Sequence, residues 1–337
     1  MRKTARVLPL LAILSAVLFT GDIAAQRPRR PRAVAKPTNL VNLLPPSDAV
    51  INVDVRRLFA EGVPGVFAGD SAKLAQVNSQ IEKFKSQTGV DPRAFDQLAI
   101  GFRFTSPSPG VTKVESLVLA RGKFNPAGIV SAGRAAAKDK FVEQKYKGAT
   151  IYVFTLNEQM RLFGFFNVRI SDVAVAVFDA NTLAIGTPPN VRAAIDARES
   201  HRNVSAELAG LALSDPTAII GFGGTVTPGL FKDLNFDSDT VAQQLSSIRQ
   251  VYGSFGIKGA SFTVLAVART GNPAQAKELS ETVTSILPLA PLLAGNLPEA
   301  KKKLAQSALD NLKVVAQGNE LRITTEVPQA NLAAVIR

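Results

Sequence analysis

Residues 170–195, ISDVAVAVFDANTLAIGTPPNVRAAI, spell a strand, a tight turn, a second strand, a proline and a short helix, and the chain closes on a second copy of that order. Val173, Val175 and Phe178 are β-branched or aromatic, which suits a pleated and half-buried surface. Asp179-Ala180-Asn181 then tolerates a reversal, and 182–185 returns as the partner strand. Thr187 and Pro188 predict the helix start, because proline's missing N–H has no helical partner in the first turn anyway. Residues 309–336, LDNLKVVAQGNELRITTEVPQANLAAVI, repeat the sequence of strand, turn at Gln317-Gly318-Asn319, strand, Pro328 and apolar helix. A chain that ends as its middle ends is constrained to build the same supersecondary unit twice.

Other landmarks recur in the same order. Ser47-Asp48 precedes an alternating strand from Ala49, and Ser214-Asp215 precedes one from Ala218 to Phe222. Asn125-Pro126-Ala127 and Asn272-Pro273-Ala274 each follow a strand and predict a capped helix. Between them the spacing predicts a helix after Asp70 with Leu74, Val77, Ile81 and Phe84 on one stripe, ended by Gly89. It also predicts a hairpin about Lys147-Gly148, a helix from Asp239 to Tyr252, and strands at 254–257 and 261–268. Short turns between alternating strands, with helices inserted singly, imply an α+β fold of two tandem related units, with mainly antiparallel sheets and helices on one face. The expected boundaries are 1–25, 26–42, 43–203 and 204–337.

The first segment reads as a secretory signal peptide. Met1 to Arg6 is basic, 7–20 is apolar, and Ile23-Ala24-Ala25 offers a small-residue exit. The apolar run is shorter than the roughly 20 residues a membrane-spanning helix requires, so the mature protein is expected to be exported to the periplasm or beyond and not to be integral to the membrane. Cleavage after Ala25 removes three cations and one anion and leaves a formal charge of +10 of the original +12. Half of that sits in a proline-rich tail, where Arg27, Arg29, Arg30, Arg32 and Lys36 form a candidate polyanion contact or a solvated spacer. Nothing in the remaining pattern predicts specific nucleic-acid recognition.

Several chemistries are excluded by composition. The chain has no cysteine and one histidine, His201, which rules out thiol catalysis, disulfides and His- or Cys-based metal clusters. A Ser-His-Asp triad would have to use His201, in the polar stretch 198–202, where a surface histidine is the plainer identity. Asp233, Asn235, Asp237 and Asp239 alternate like the start of a calcium loop, but Ser238 and Gln244 stand where such a loop needs a turning glycine and a bidentate glutamate. Gly221-Phe222-Gly223-Gly224 lacks the phosphate-binding spacing and reads as a flexible turn. No cofactor is predicted. Two apolar segments, 160–166 and 286–293, stand outside the strand pattern, and Phe163, Phe165, Phe166, Leu289 and Leu292 are candidates for a lipophilic groove between the units.

With the secretion signal, the entry 43–54 (LLPPSDAVINVD) and the closing strand–turn–strand–proline–helix in view, the chain resembles uncharacterised, duplicated secreted proteins of environmental bacteria. That resemblance implies the fold and an exported location, and brings no active site with it. The expected function is a non-enzymatic protein that binds an envelope protein, polymer or lipid. A carrier of a lipophilic small molecule is the second reading and an extracytoplasmic hydrolase the third.

Overall fold

Strand alternation in this sequence is resolved into a single surface. In the computed structural model, which describes residues 38–108, 111–137, 140–162, 166–226, 239–291 and 298–333, the elements run β1 (Ala49–Asp54), α1 (Ser71–Thr88), β2 (Phe95–Ser108), β3 (Val111–Gly122), α2 (Pro126–Ala136), β4 (Phe141–Tyr146), β5 (Ala149–Leu162), β6 (Phe166–Asp179), β7 (Thr182–Gly186) and α3 (Pro188–Ser200). The second half follows with α4 (Ala206–Ala212), β8 (Ala218–Thr225), α5 (Asp239–Ser246), β9 (Ile248–Lys258), β10 (Ser261–Thr270), α6 (Pro273–Ile286), α7 (Glu299–Asp310), β11 (Lys313–Gln317), β12 (Glu320–Pro328) and α8 (Gln329–Ala333). The strands form one twelve-stranded sheet in the order β11-β12-β10-β9-β8-β1-β2-β3-β7-β6-β5-β4. Every neighbouring pair is antiparallel. The fold is α+β.

The sheet reads outward from its centre in the same order on both sides. β1, β2, β3, β7, β6 leave one way, and β8, β9, β10, β12, β11 leave the other. The local reasons repeat as well. Asn125 and Asn272 each cap a helix that has proline in its first turn, accepting from the amides of Ala127 and Gln275. At the hairpin turns, Asn181 Nδ2 donates to the Gly122 carbonyl at 3.0 Å and Asn319 Nδ2 donates to the Thr270 carbonyl at 3.2 Å. Backbone amides of Gly122 and Thr270 return bonds to the carbonyls of Asn181 and Asn319. Each terminal hairpin is thereby pinned to the strand before the Asn-Pro helix. Pro188 and Pro328 are less alike: the chain leaves the sheet after Gly186, whereas β12 continues through Pro328 in register with Ser261.

Helices cover both faces, where one face was expected. Val50, Leu119 and Ala184 pack beneath Val191, Ala194 and Ile195 of α3 and Leu208 of α4. An odd number of residues along the same strands, Val53, Ala120 and Leu183 point the other way and meet Phe84 of α1 and Ile129 of α2. On that second face the other half places Leu279 and Val283 of α6 against Leu321 and Ile323. The physical reason is that the inner strands alternate apolar with apolar, not apolar with polar, so each face needs its own cover.

Two further expectations fail informatively. The helix predicted to reach Tyr252 stops at Ser246, and Tyr252 lies inside β9, paired on both sides by β8 and β10. The glycine run 221–224 is a central strand, not a turn. A Cβ on Gly221 would lie 2.1 Å from the Ala212 carbonyl, and one on Gly223 would lie 2.8 Å from Leu211 Cβ. Glycine is needed there because α4 lies directly on β8.

Candidate functional site

A cleft of about 310 Å³ opens on the α3 face of the sheet. Its floor is Gly101 and Leu117 of β2 and β3, with Pro45 and Ala197 closing the sides. Ser47 comes so close to the strand that a Cβ on Gly101 would stand 2.6 Å from its Oγ, so the narrow floor depends on that glycine. Asn190 ties α3 to the sheet by donating its Nδ2 to the Ser116 carbonyl at 2.9 Å. The turn at 45–47 is held by the Ser47 hydroxyl, which donates to the Pro45 carbonyl at 2.8 Å.

Four charged groups line this cleft, and they are not in equivalent states. Glu115 receives Lys113 Nζ at 2.6 Å. Asp196 receives Lys147 Nζ at 2.5 Å and the Tyr146 hydroxyl at 3.1 and 3.0 Å. The Lys147 bond, with help from Tyr146, keeps the Asp196 carboxyl below its ordinary range. The same contact raises Lys147, and acceptance by Asp196 raises the Tyr146 phenol. The side chains of Arg103 and Arg202, by contrast, have no hydrogen bond or ion pair to the described residues. Both carboxylates are thus committed to lysines, and both guanidiniums remain available for an anion.

Two of the three serines that line the cleft give their hydroxyl hydrogens to nearby backbone carbonyls. Ser200 Oγ donates to the Asp196 carbonyl at 2.7 Å, as Ser47 does to Pro45. His201 ends α3 in the left-handed conformation, φ 53°, exposed and outside the cleft lining. Among the described residues no hydrogen bond joins it to a serine.

A second cluster lies on the same face in the other half. Glu320 accepts from Arg269 at 3.0 and 2.9 Å, from Arg322 at 3.2 and 2.9 Å, and from the Tyr252 hydroxyl at 3.0 Å. With every lone pair of Glu320 engaged, this is a cross-strand brace.

The residues singled out from sequence distribute as follows. Asp233, Asn235 and Asp237 lie outside the described residues; Asp239 begins α5, and no group of His, Asp or Glu fit to hold a metal occurs among the described residues. Arg27, Arg29, Arg30 and Arg32 lie outside them too, as do Phe163, Phe165 and Leu292. Phe166 begins β6, while Leu289 follows α6, which packs over β11 and β12. Eight strand positions separate β6 from β12, roughly 40 Å at ordinary strand spacing. The structure does not bring Phe166 and Leu289 into one groove, because the two apolar inserts are attached at opposite margins of one sheet. Arg103 and Arg202 were missed by the sequence reading. Their only signal was the arginine-rich stretch 198–202, and Arg103 looks like any outward strand residue. No helix of the described residues is long and apolar enough to cross a membrane, which says nothing about strands.

No protein-family model matches this chain, and no curated protein does. Among solved structures it is similar to TP0453 in crystal form IV, with a TM-score of 0.46 and 10% identity over 88% of this chain and 95% of that one. Crystal form III of TP0453 gives 0.44 and 12%, over 90% and 99%. Likeness at this level bears on neither ligand nor activity.

Proposed function

We propose that this chain is an exported, non-enzymatic binding protein, and that its cleft takes an anionic group borne by a macromolecule of the cell envelope. The observation that carries the reading is the asymmetry of charge in the cleft: two guanidiniums without a partner among the described residues line it together with two carboxylates already bound to lysines. The apolar lining of Leu117, Pro45 and Ala197 would take the neutral part of the ligand. The signal peptide supports an exported location, and the repeated order of strands supports an origin by internal duplication.

Calorimetric titration with lipopolysaccharide and with peptidoglycan fragments tests this. The double variant Arg103→Ala/Arg202→Ala is expected to weaken whichever ligand binds by about tenfold or more, since charge-assisted hydrogen bonds contribute about 1.5–3 kcal/mol each. Binding of neither polymer, or binding indifferent to both arginines, would refute the assignment.

A further inference from the structure

In the first half, the strand at the position of β11 is β6, and its outer edge is covered by β5 in an antiparallel ladder from Ile151–Ala176 to Leu162–Phe166. In the second half nothing among the described residues covers the outer edge of β11. At equivalent places the sheet therefore carries one edge that is covered and one that no described residue covers.

The two edges of the sheet differ in how they are defended. β4, at the far margin, reads FVEQKY, with charges at Glu143 and Lys145 in its middle. β11 reads KVVAQ; its one charge is at the first residue, and it has no proline and no break in its register with β12. Exposed edges without such guards pair readily. Val315, at its centre, is 55% exposed.

We propose that β11 is a homodimer interface, in which the β11 strands of two copies pair antiparallel about a two-fold axis at Val315. Register arithmetic selects this occupant. Gln317 and Glu320 close a two-residue turn, with Gly318 at φ 58°. Alternation along an antiparallel ladder then turns the N–H and C=O of residues 313, 315 and 317 toward β12 and those of Val314 and Ala316 outward. A two-fold at Val315 sets Val314 against Ala316 of the second copy, twice, and each pair exchanges two hydrogen bonds. Val315 meets its own copy, and Lys313 meets Gln317, so no like charges oppose one another. An isologous contact of this kind closes at two copies and does not propagate, unlike pairing of β11 with β4.

The absence of cysteine gives a direct test. In a full chain carrying Val315→Cys, the two thiols face each other across a non-hydrogen-bonded pair, the close spacing of an antiparallel ladder, within disulfide reach. Mild oxidation is expected to give a covalent dimer. Lys313→Cys, whose copies lie on opposite sides of the axis, should remain largely monomeric, at least tenfold slower to cross-link. Sedimentation of the unmodified protein should show a reversible dimer that is lost in Ala316→Pro, which removes an outward N–H and leaves the β12 ladder intact, and kept in Val142→Lys on the β4 edge. A protein monomeric at about 100 µM, a concentration suited to a small interface, would overturn the proposal. So would equal cross-linking at 313 and 315, or a dimer lost in Val142→Lys.

Discussion

Two rows of residues, one in each half, occupy the same ladder positions on the same face of the sheet; the first is buried along its whole length, the second only at Tyr252 and Val267, with Val315 left exposed. In the first half Ala99, Leu119, Ala184 and Ala176 stand side by side across β2, β3, β7 and β6, each fully buried. In the second half the corresponding row across β9, β10, β12 and β11 is Tyr252, Val267, Arg322 and Val315. Adjacent rows repeat the contrast: Gly101, Leu117, Gly186 and Ala174 answer to Ser254, Leu265, Thr324 and Lys313. Three small side chains in a row of four let α3 settle onto the first half. Larger and charged ones fill the space a helix would need in the second, where α8 turns instead toward Phe262 on the other face, its Gln329 beside Gly65. The difference teaches that ladder pattern fixes the sheet, while side-chain size within a row decides whether a helix covers it.

The sharpest way to break that comparison is to exchange residues between the rows. Ala184→Arg places a charge of large volume under α3 and is expected to cost about 3–5 kcal/mol by urea unfolding, from overpacking and an unpaired buried charge. Arg322→Ala, on the open row, should cost about 1 kcal/mol, the scale of a partly exposed ion pair. Equal costs would mean that α3 does not rest on Ala184. A second comparison uses the face that both halves cover. Ile129→Ala beneath α2 and Leu279→Ala beneath α6 remove buried side chains in corresponding helices, and each should cost about 2–4 kcal/mol. A difference of more than twofold would show that the two Asn-Pro helices are not equivalent supports. Weaker still are the turn asparagines. Asn181→Ala and Asn319→Ala each remove one hydrogen bond to the preceding strand and should each cost about 1 kcal/mol, read as matched shifts in denaturant midpoint.

Much of the sheet was legible because its signals are local. Asp70 and Gly89 bound α1 as their capping chemistry requires, Gly89 at φ 70°. Lys147-Gly148 turn the β4–β5 hairpin with positive φ at both residues. What stayed hidden depends on partners distant in sequence. Tyr252 reads as helical until β8 and β10 flank it, and Gly221 reads as a turn until α4 lies across it. The α4 helix itself, seven residues capped by Ser205, is too short for a periodic stripe to announce it. The cleft was less legible than the fold. Arg103 and Arg202 are 99 positions apart in sequence, and their common feature, side chains without a partner among the described residues, exists only once Lys113 and Lys147 have claimed the neighbouring carboxylates.

The smallest effect concerns Glu320, in the ladder row beside Arg322, where the first half has Thr182. Burial by itself would raise the Glu320 carboxyl, but hydrogen bonds from Arg322, Arg269 and the Tyr252 hydroxyl outweigh it and hold the group below its ordinary value of 4.5. A carboxyl depressed on folding stabilises the protein above the unfolded value and loses that contribution as pH falls through it toward the folded value. Stability should therefore decline below about pH 4.5 with a component that disappears in Glu320→Gln. Because Arg322 and Arg269 are partly solvated, the component should be no more than about 1 kcal/mol and should shrink in high salt. Thr182 stands at the matching position of the covered half, so Thr182→Val should leave the acid slope unchanged. Urea titrations at pH 7 and pH 3.5 in low and high salt measure it. A slope that survives in Glu320→Gln would assign the acid sensitivity elsewhere, first to Asp91, which Arg93 holds at about 2 on the surface of the first half.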